Sequence, residues 1–433
     1  MTALLLASIL GWSHVPAGSC GHSGHECWRA ALPPRALAAV DRVDQSQPEP
    51  PPERDRRHQA DLDADTRLGK QYSAEIEKEL KLTTNTEMAQ RVEKIGQTLA
   101  EIANRNVVEV TWGDKRLNPF SYSFKVVEGK DVNAFSIPGG FIYVYEGLVK
   151  YAETDDELAG VLAHEIAHAS LRHIAIRNRE QSKVDSIMMP LILGLLLGRS
   201  ESSTNLALGA QFLRQAFSSG WNLKAEESAD FAGFQYMLQS PYNPIGMLTF
   251  MERLRYDERL NPKIDWGIYA THPPTQERAI AFLNRLRERD IATRRSLTST
   301  SLRADVRPGD EGTVELWYLG SKVYAFGGSA ALSRADQAAE KFNFFMDSLP
   351  QLFDVKVDSL GNLVGRNQVL FAIAEPDWLA VGHDEFTLQN ETTRAVKGAI
   401  YRLNQRVTSL GPANAMPPPQ LTPPSPPSCD HGS

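Results

Sequence analysis

From Arg67 onward the apolar residues of this chain recur at helical spacing. Leu68, Tyr72, Ile76 and Leu80 form an i, i+4 stripe that predicts an amphipathic helix over 66–82. A second helix follows Thr83, Thr84 and Asn85, with Met88, Val92, Ile95, Leu99 and Ile102 on one face. The period then changes to two. In Phe120–Val127, aromatic residues and Val126 alternate with Ser121, Ser123 and Lys125, the pattern of a half-buried strand. After a turn at 128–131, Phe141–Tyr145 is a run of high β-propensity. A third helix starts at Thr154, whose spacing to Glu157 fits a capping box. It buries Leu158, Val161 and Leu162 and is expected to run unbroken to about Gln181. Residues 187–198 are apolar but interrupted by Pro190 and glycines, and are too short to span a bilayer. They fit a buried helical hairpin, or a lid or membrane-touching loop. Further helices are predicted over 223–239, from near Pro244, and over 275–289 with Ile280, Leu283 and Leu286 facing inward. From about residue 312, strands over 313–318, 322–326, 354–357 and 369–374 are interleaved with helices over 330–349 and 392–407.

The fold class is therefore α+β: a mainly helical domain with a small β-sheet over 66–295, then a smaller α+β domain over 300–411. A chain of 433 residues has room for both, and an apolar content of 42% is that of a globular protein. A net charge of −7 argues against nucleic acid as a partner. Residues 1–30 form a signal-peptide or lipid-anchor region, because the apolar run Ala3–Leu10 precedes the small residues Ala17, Gly18 and Ser19 before Cys20. No Lys or Arg stands near Met1, which weakens that pattern. Cys20, His22, His25 and Cys27 carry metal-ligand residue types, but a glycine-rich terminus argues against a site there. The stretch 31–65, rich in Pro and charge, is expected to be a disordered linker, and 412–433 a disordered Pro-rich tail. All three cysteines lie in these terminal stretches, so the folded body has no disulfide framework.

The candidate chemistry lies in the third helix. His164 and His168 are four residues apart, hence on one face, with Glu165 directly after the first. Two neutral nitrogen ligands and a carboxylate base in this order are the signature of a zinc hydrolase. A catalytic zinc takes three protein ligands and leaves one position open. Glu226 and Asp230, four apart on a separate helix, offer one carboxylate for the ion and another to hold a ligand histidine's N–H. An exposed acidic face is the alternative, and Glu227 shows that acids occur there without such a task.

Taken together, these residues resemble a known family. His164-Glu165-x-x-His168 with the later Glu226-x-x-x-Asp230 resembles the gluzincin arrangement. More narrowly, the chain is similar to the zinc endopeptidase family of the heat-shock protease HtpX, the CAAX prenyl protease and the periplasmic protease BepA. The likeness covers about 66–290 and includes Arg67–Tyr72, Asn133-Ala-Phe-x-x-Pro-Gly-Gly140, Gly147-Leu148, Asp156–Ala159, His173, Asp230-x-x-Gly233 and Thr271-His-Pro273. It implies one Zn2+ held by His164, His168 and Glu226, with Glu165 as general base and Asp230 orienting a ligand. It also implies His272 near the metal, as an inhibitory fourth ligand or a group that steadies the transition state; a loop histidine capping the next helix is the bland alternative. His173 falls nearly opposite His164 on an unbroken helix and is expected to make a structural hydrogen bond. Family members place an arginine just before the Glu ligand, where this chain has Leu223 and Lys224, so an ion pair is missing or supplied from another segment. An extended protein or peptide substrate is expected along an edge strand at 141–145, by way of Gly139, Gly140, Phe141 and Tyr143. Expected substrates are misfolded or envelope proteins, and the expected location is the bacterial envelope, in the periplasm or as a membrane-anchored lipoprotein, with membrane contact through 187–198 or a lipidated Cys20. Two rivals are a chaperone-like envelope factor with a mostly closed zinc site and a purely structural zinc site.

Overall fold

The computed structural model describes residues 56–181, 221–261 and 276–408. Cys20, the segment 187–198, His272 and the Pro-rich tail lie outside the described residues.

Helix α1 (Arg56–Glu79) starts ten residues before the apolar stripe predicts. The expected linker therefore stops short of residue 56. The buried face of α1 is His58, Leu62, Asp65, Gly69, Ser73 and Ile76. This is a complete i, i+3/i+4 stripe, but His58, Asp65, Gly69 and Ser73 in it are polar or small, so a search for apolar periodicity misses its start. Helix α2 (Thr86–Ala103) is capped by Asn85, whose side chain accepts from the Met88 N–H at 2.9 Å. Its Val92, Ile95 and Leu99 enter the main core.

Strands β1 (Ser123–Val127), β2 (Ala134–Ile137) and β3 (Phe141–Tyr145) form a sheet in the order β1-β3-β2. Phe141–Tyr145 is thus the central strand, parallel to β1 and antiparallel to β2. This corrects the expected substrate strand, because both backbone edges of Phe141 and Tyr143 are used within the sheet. Tyr143 is fully buried, its hydroxyl 2.7 Å from Ser73 Oγ and 3.0 Å from Glu77 Oε1. Gly139 and Gly140 have φ of +82° and +88°, and a β-carbon on Gly139 would stand 2.7 Å from Thr66 Cα. They make a tight turn under α1 rather than a platform for substrate. The outer side of β1 is bridged by Leu82 to Val127, so β2 is the sheet's other edge, and it packs toward the next long helix.

After α3 (Glu146–Tyr151) comes α4 (Asp155–Ser170), whose Thr154 cap accepts from the Glu157 N–H at 3.2 Å. The return half of the expected capping box goes one residue further, from the Glu153 N–H to Glu157 Oε2 at 2.9 Å. The helix does not continue to Gln181. It ends at Ser170, Arg172 adopts φ +56°, and α5 (His173–Gln181) starts in a new direction. A left-handed non-glycine residue is strained unless its surroundings hold it. Here the Arg172 side chain is buried, with Nε 2.6 Å from Asp65 on α1 and Nη1 2.9 Å from Asp114.

Helix α6 (Trp221–Gln239) crosses α4 so closely that a β-carbon on Gly233 would lie 3.1 Å from the Ala163 main chain. Ala225, Ala229 and Ala232 are buried on the same side, as small residues at a close crossing must be. Helix α7 (Ile245–Leu260) starts behind Asn243, whose side chain accepts from the Ile245 N–H at 3.1 Å. In α8 (Gln276–Glu288), Phe282, Leu283 and Leu286 are buried, whereas Ile280 is only half-buried.

The second domain has its own core. It contains an antiparallel meander β4 (Asp305–Pro308), β5 (Val314–Tyr318) and β6 (Ser321–Phe326), followed by α9 (Ala331–Asp347). A second meander, β7 (Val355–Val357), β8 (Leu363–Gly365) and β9 (Gln368–Phe371), is followed by α10 (Glu375–Ala380) and α11 (Glu385–Arg406). Ser299 donates to Glu153 at 2.6 Å and Thr154 to the Thr298 carbonyl at 2.7 Å, tying the joint between domains to the start of α4. Among the described residues, no helix is long and apolar enough to cross a membrane.

Candidate metal centre

Helix α4 supplies His164 and His168 one turn apart, and the close crossing at Gly233 brings Glu226 of α6 against both. The His164 and His168 Nε2 atoms are 3.1 Å apart. Glu226 Oε2 is 3.3 Å from His164 Nε2, and Glu226 Oε1 is 3.4 Å from His168 Nε2. All three side chains are buried. His164 and His168 thus face different oxygens of Glu226, and one ligand atom from each of the three residues lies within 4.8 Å of the others, close enough for all three to reach one ion. The two neutral nitrogens and one carboxylate oxygen are also the donor types zinc prefers.

The surrounding groups orient these three. Asp230 lies one turn after Glu226, with Oδ1 3.0 Å from His164 Nδ1. Asp230 is in turn gripped by Arg278 of α8, Nε and Nη2 each reaching a carboxylate oxygen at 2.7 Å. The third guanidinium nitrogen stands 3.2 Å from Glu226 Oε2. Arg278 thus supplies from another segment the cation that Leu223 and Lys224 do not, and it lies four residues past the Thr271–Pro274 motif. Burial raises the Asp230 pKa, but Arg278 and His164 outweigh it and hold the carboxyl well below the usual carboxylate range. Burial likewise lowers the His164 pKa, yet its bonds to Asp230 and Glu226 raise it to about 9. The two carboxylates favour positive charge at this point in the fold.

Glu165 is also buried, directly after His164, and its charge acts on Arg278. His173 does not lie opposite the site. The break at Arg172 returns it to the His168 ring, with the two Nδ1 atoms 2.9 Å apart. Ser136, Ile137, Pro138 and Gly139, at the end of edge strand β2, share a small crevice with His168 and Arg172. Gly139 thus borders the site through its turn, while Phe141 and Tyr143 belong to the interior of the sheet. His272 lies outside the described residues. Sequence reasoning missed Arg278 and the true place of His173. Neither had a local signal: no local pattern ties Arg278 to the site, and nothing local marks Arg172 as left-handed.

Residues 90–286 match peptidase family M48. The chain carries an M48 peptidase domain. Over 232 residues it is 29% identical to the beta-barrel assembly-enhancing protease of Yersinia pestis, covering 52% of this chain and 44% of that one. It is 27% identical over 196 residues to metalloprotease LoiP of Escherichia coli K12, covering 45% of this chain and 69% of LoiP. It is 31% identical over 162 residues to the mitochondrial metalloendopeptidase OMA1 of Schizosaccharomyces pombe, covering 37% of this chain and 46% of that one. The chain spans less than half the length of the beta-barrel assembly-enhancing proteases it matches. Residues 300–408 fall outside the family match.

Proposed function

We propose that this chain is a zinc-dependent metalloendopeptidase that cleaves protein substrates in the bacterial envelope. The observation that carries the reading is the buried cluster of His164, His168 and Glu226, each offering one ligand atom within 4.8 Å of the others. A zinc ion bound there supplies a Lewis acid that acidifies water and polarises a peptide carbonyl. His164 and His168 present Nε2 to the ion site, Asp230 steadies His164 from its far nitrogen, and Arg278 keeps Asp230 ionised while standing 3.2 Å from Glu226. Glu165 takes the proton of the attacking water and hands it to the leaving amine. An extended peptide pairs with β2, the sheet edge whose end shares a crevice with His168. The family resemblance alone assigns His272 a role here, as an inhibitory fourth ligand or a group that steadies the transition state. The envelope location rests on the apolar run Ala3–Leu10 and the small residues before Cys20.

The test compares wild type with Glu165→Gln for zinc content and casein digestion. One zinc per chain in both, with cleavage reduced on the order of 10^2–10^4-fold in the variant, is the expected result. Equal cleavage by the two removes Glu165 from the chemistry. A zinc-loaded wild type that binds casein but leaves it intact points instead to an envelope binding factor.

A further inference from the structure

The two histidines of the site are backed by different chemistry. His164 Nδ1 faces the Asp230 carboxylate, whereas His168 Nδ1 faces a second imidazole nitrogen. Two nitrogens 2.9 Å apart share one proton between them. If that proton sat on His173 Nδ1, neutral His168 would carry its own on Nε2, aimed at His164 and Glu226. A cation could not then use that nitrogen.

We infer that His173 is the positioning residue for His168: its proton sits on Nε2, and its Nδ1 accepts the Nδ1–H of His168, leaving the His168 Nε2 lone pair for the ion. This rests on the metallopeptidase reading and adds His173 as the group behind His168. Three features of the fold support it. The far edge of the His173 ring meets the main chain at Trp112 and Gly113, where a β-carbon on Gly113 would stand 2.9 Å from His173 Nε2. The Trp112 N–H is given to Ser228 Oγ at 3.1 Å, so Trp112 turns its carbonyl side to the ring, although His173 Nε2 makes no formed hydrogen bond there. The Trp112 ring tilts against His173 with centroids 4.8 Å apart, and the imidazole is 2% exposed. Finally, the left-handed turn at Arg172, clamped by Asp65 and Asp114, is what aims His173 at His168 rather than away from it.

The experiment uses the full chain, metal-free and zinc-loaded, labelled with 15N-histidine. Long-range 1H–15N spectra should show His173 with a protonated Nε2 and a bare Nδ1 in both states. His173→Phe keeps an aromatic ring in place but offers no acceptor, and its zinc affinity, measured by competition with a chelator, should fall about 10–100-fold. His173→Asn places an oxygen near the lost Nδ1 and should recover affinity to within about threefold of wild type. A protonated His173 Nδ1 in the wild-type spectrum overturns the assignment. So does a folded His173→Phe chain with unchanged zinc affinity. Should neither variant fold, the wild-type spectrum alone decides. A wild-type chain that takes up no zinc removes the metallopeptidase reading and this assignment together, whereas zinc uptake with an indifferent His173→Phe removes this assignment alone.

Discussion

Each domain buries a carboxylate gripped by an arginine, and only one of the two pairs belongs to a site. In the second domain Asp377 is fully buried and accepts from Tyr324 Oη at 2.8 Å, the Gly327 N–H at 2.8 Å, the Ala374 N–H at 3.1 Å and the Arg334 guanidinium. Donors and acceptors alternate, and the group's hydrogen-bonding capacity is met by its own chain. In the peptidase domain, Asp230 and Arg278 are matched just as well, but next to them the His164 and His168 nitrogens and both Glu226 oxygens crowd together, with neighbours at 3.1–3.4 Å. Burial and an ion pair therefore say little about function. A convergence of like donors, each needing a cation or a proton, says a great deal.

That contrast can be tested from its largest effect to its smallest. Glu226→Gln should lower zinc affinity by several orders of magnitude while the chain stays folded, read by chelator competition and circular dichroism; unchanged zinc content would place the third ligand elsewhere. Removing one partner of the buried Arg278–Asp230 pair destabilises by about 3–5 kcal/mol, so Arg278→Met should lower thermal stability, and Asp377→Asn, whose Arg334 partner is partly exposed, should lower it by less. They should part company on metal. Arg278→Met leaves two carboxylates unneutralised at the centre and alters zinc binding, whereas Asp377→Asn leaves the zinc affinity of the folded fraction as it was. A zinc defect in Asp377→Asn would erase the distinction.

The smallest effect concerns pH. Asp347, at the joint between domains, accepts from the Ser296 N–H and hydroxyl, and burial raises its carboxyl from 3.8 to about 6. A carboxyl whose folded pKa is raised binds its proton more tightly in the folded chain. Its stabilising share is complete below about pH 4 and is lost as pH rises through about 6. Denaturant unfolding between pH 4 and 7 should therefore show a shallower fall in stability for Asp347→Asn than for wild type. Asp156 and Glu157, both pushed up to about 7 by burial at the start of α4, keep part of the slope in the variant. An identical slope would mean that Asp347 does not titrate in this range.

Where the chain's periodicity is apolar, the sequence alone was sufficient. Helices α2, α6 and α8, strands β3, β5 and β6, and the α+β organisation follow from side-chain spacing, because a 3.6- or 2-residue apolar repeat leaves little choice of backbone. The His164, Glu165 and His168 spacing is equally local, since four residues on a helix are one turn. Three things were decided only in the tertiary structure. The first turns of α1 bury His58 and Asp65, residues that become interior only because Leu117 and Arg172 are there to receive them. Phe141–Tyr145 is central and β2 is the edge because strand order depends on which segments return to pair, and composition does not record that. His173 meets His168 because three side chains far apart in sequence (Asp65, Asp114 and Arg172) hold one residue in a left-handed conformation. Local pattern fixes elements, whereas edges, breaks and second partners depend on contacts between segments that the chain order keeps apart.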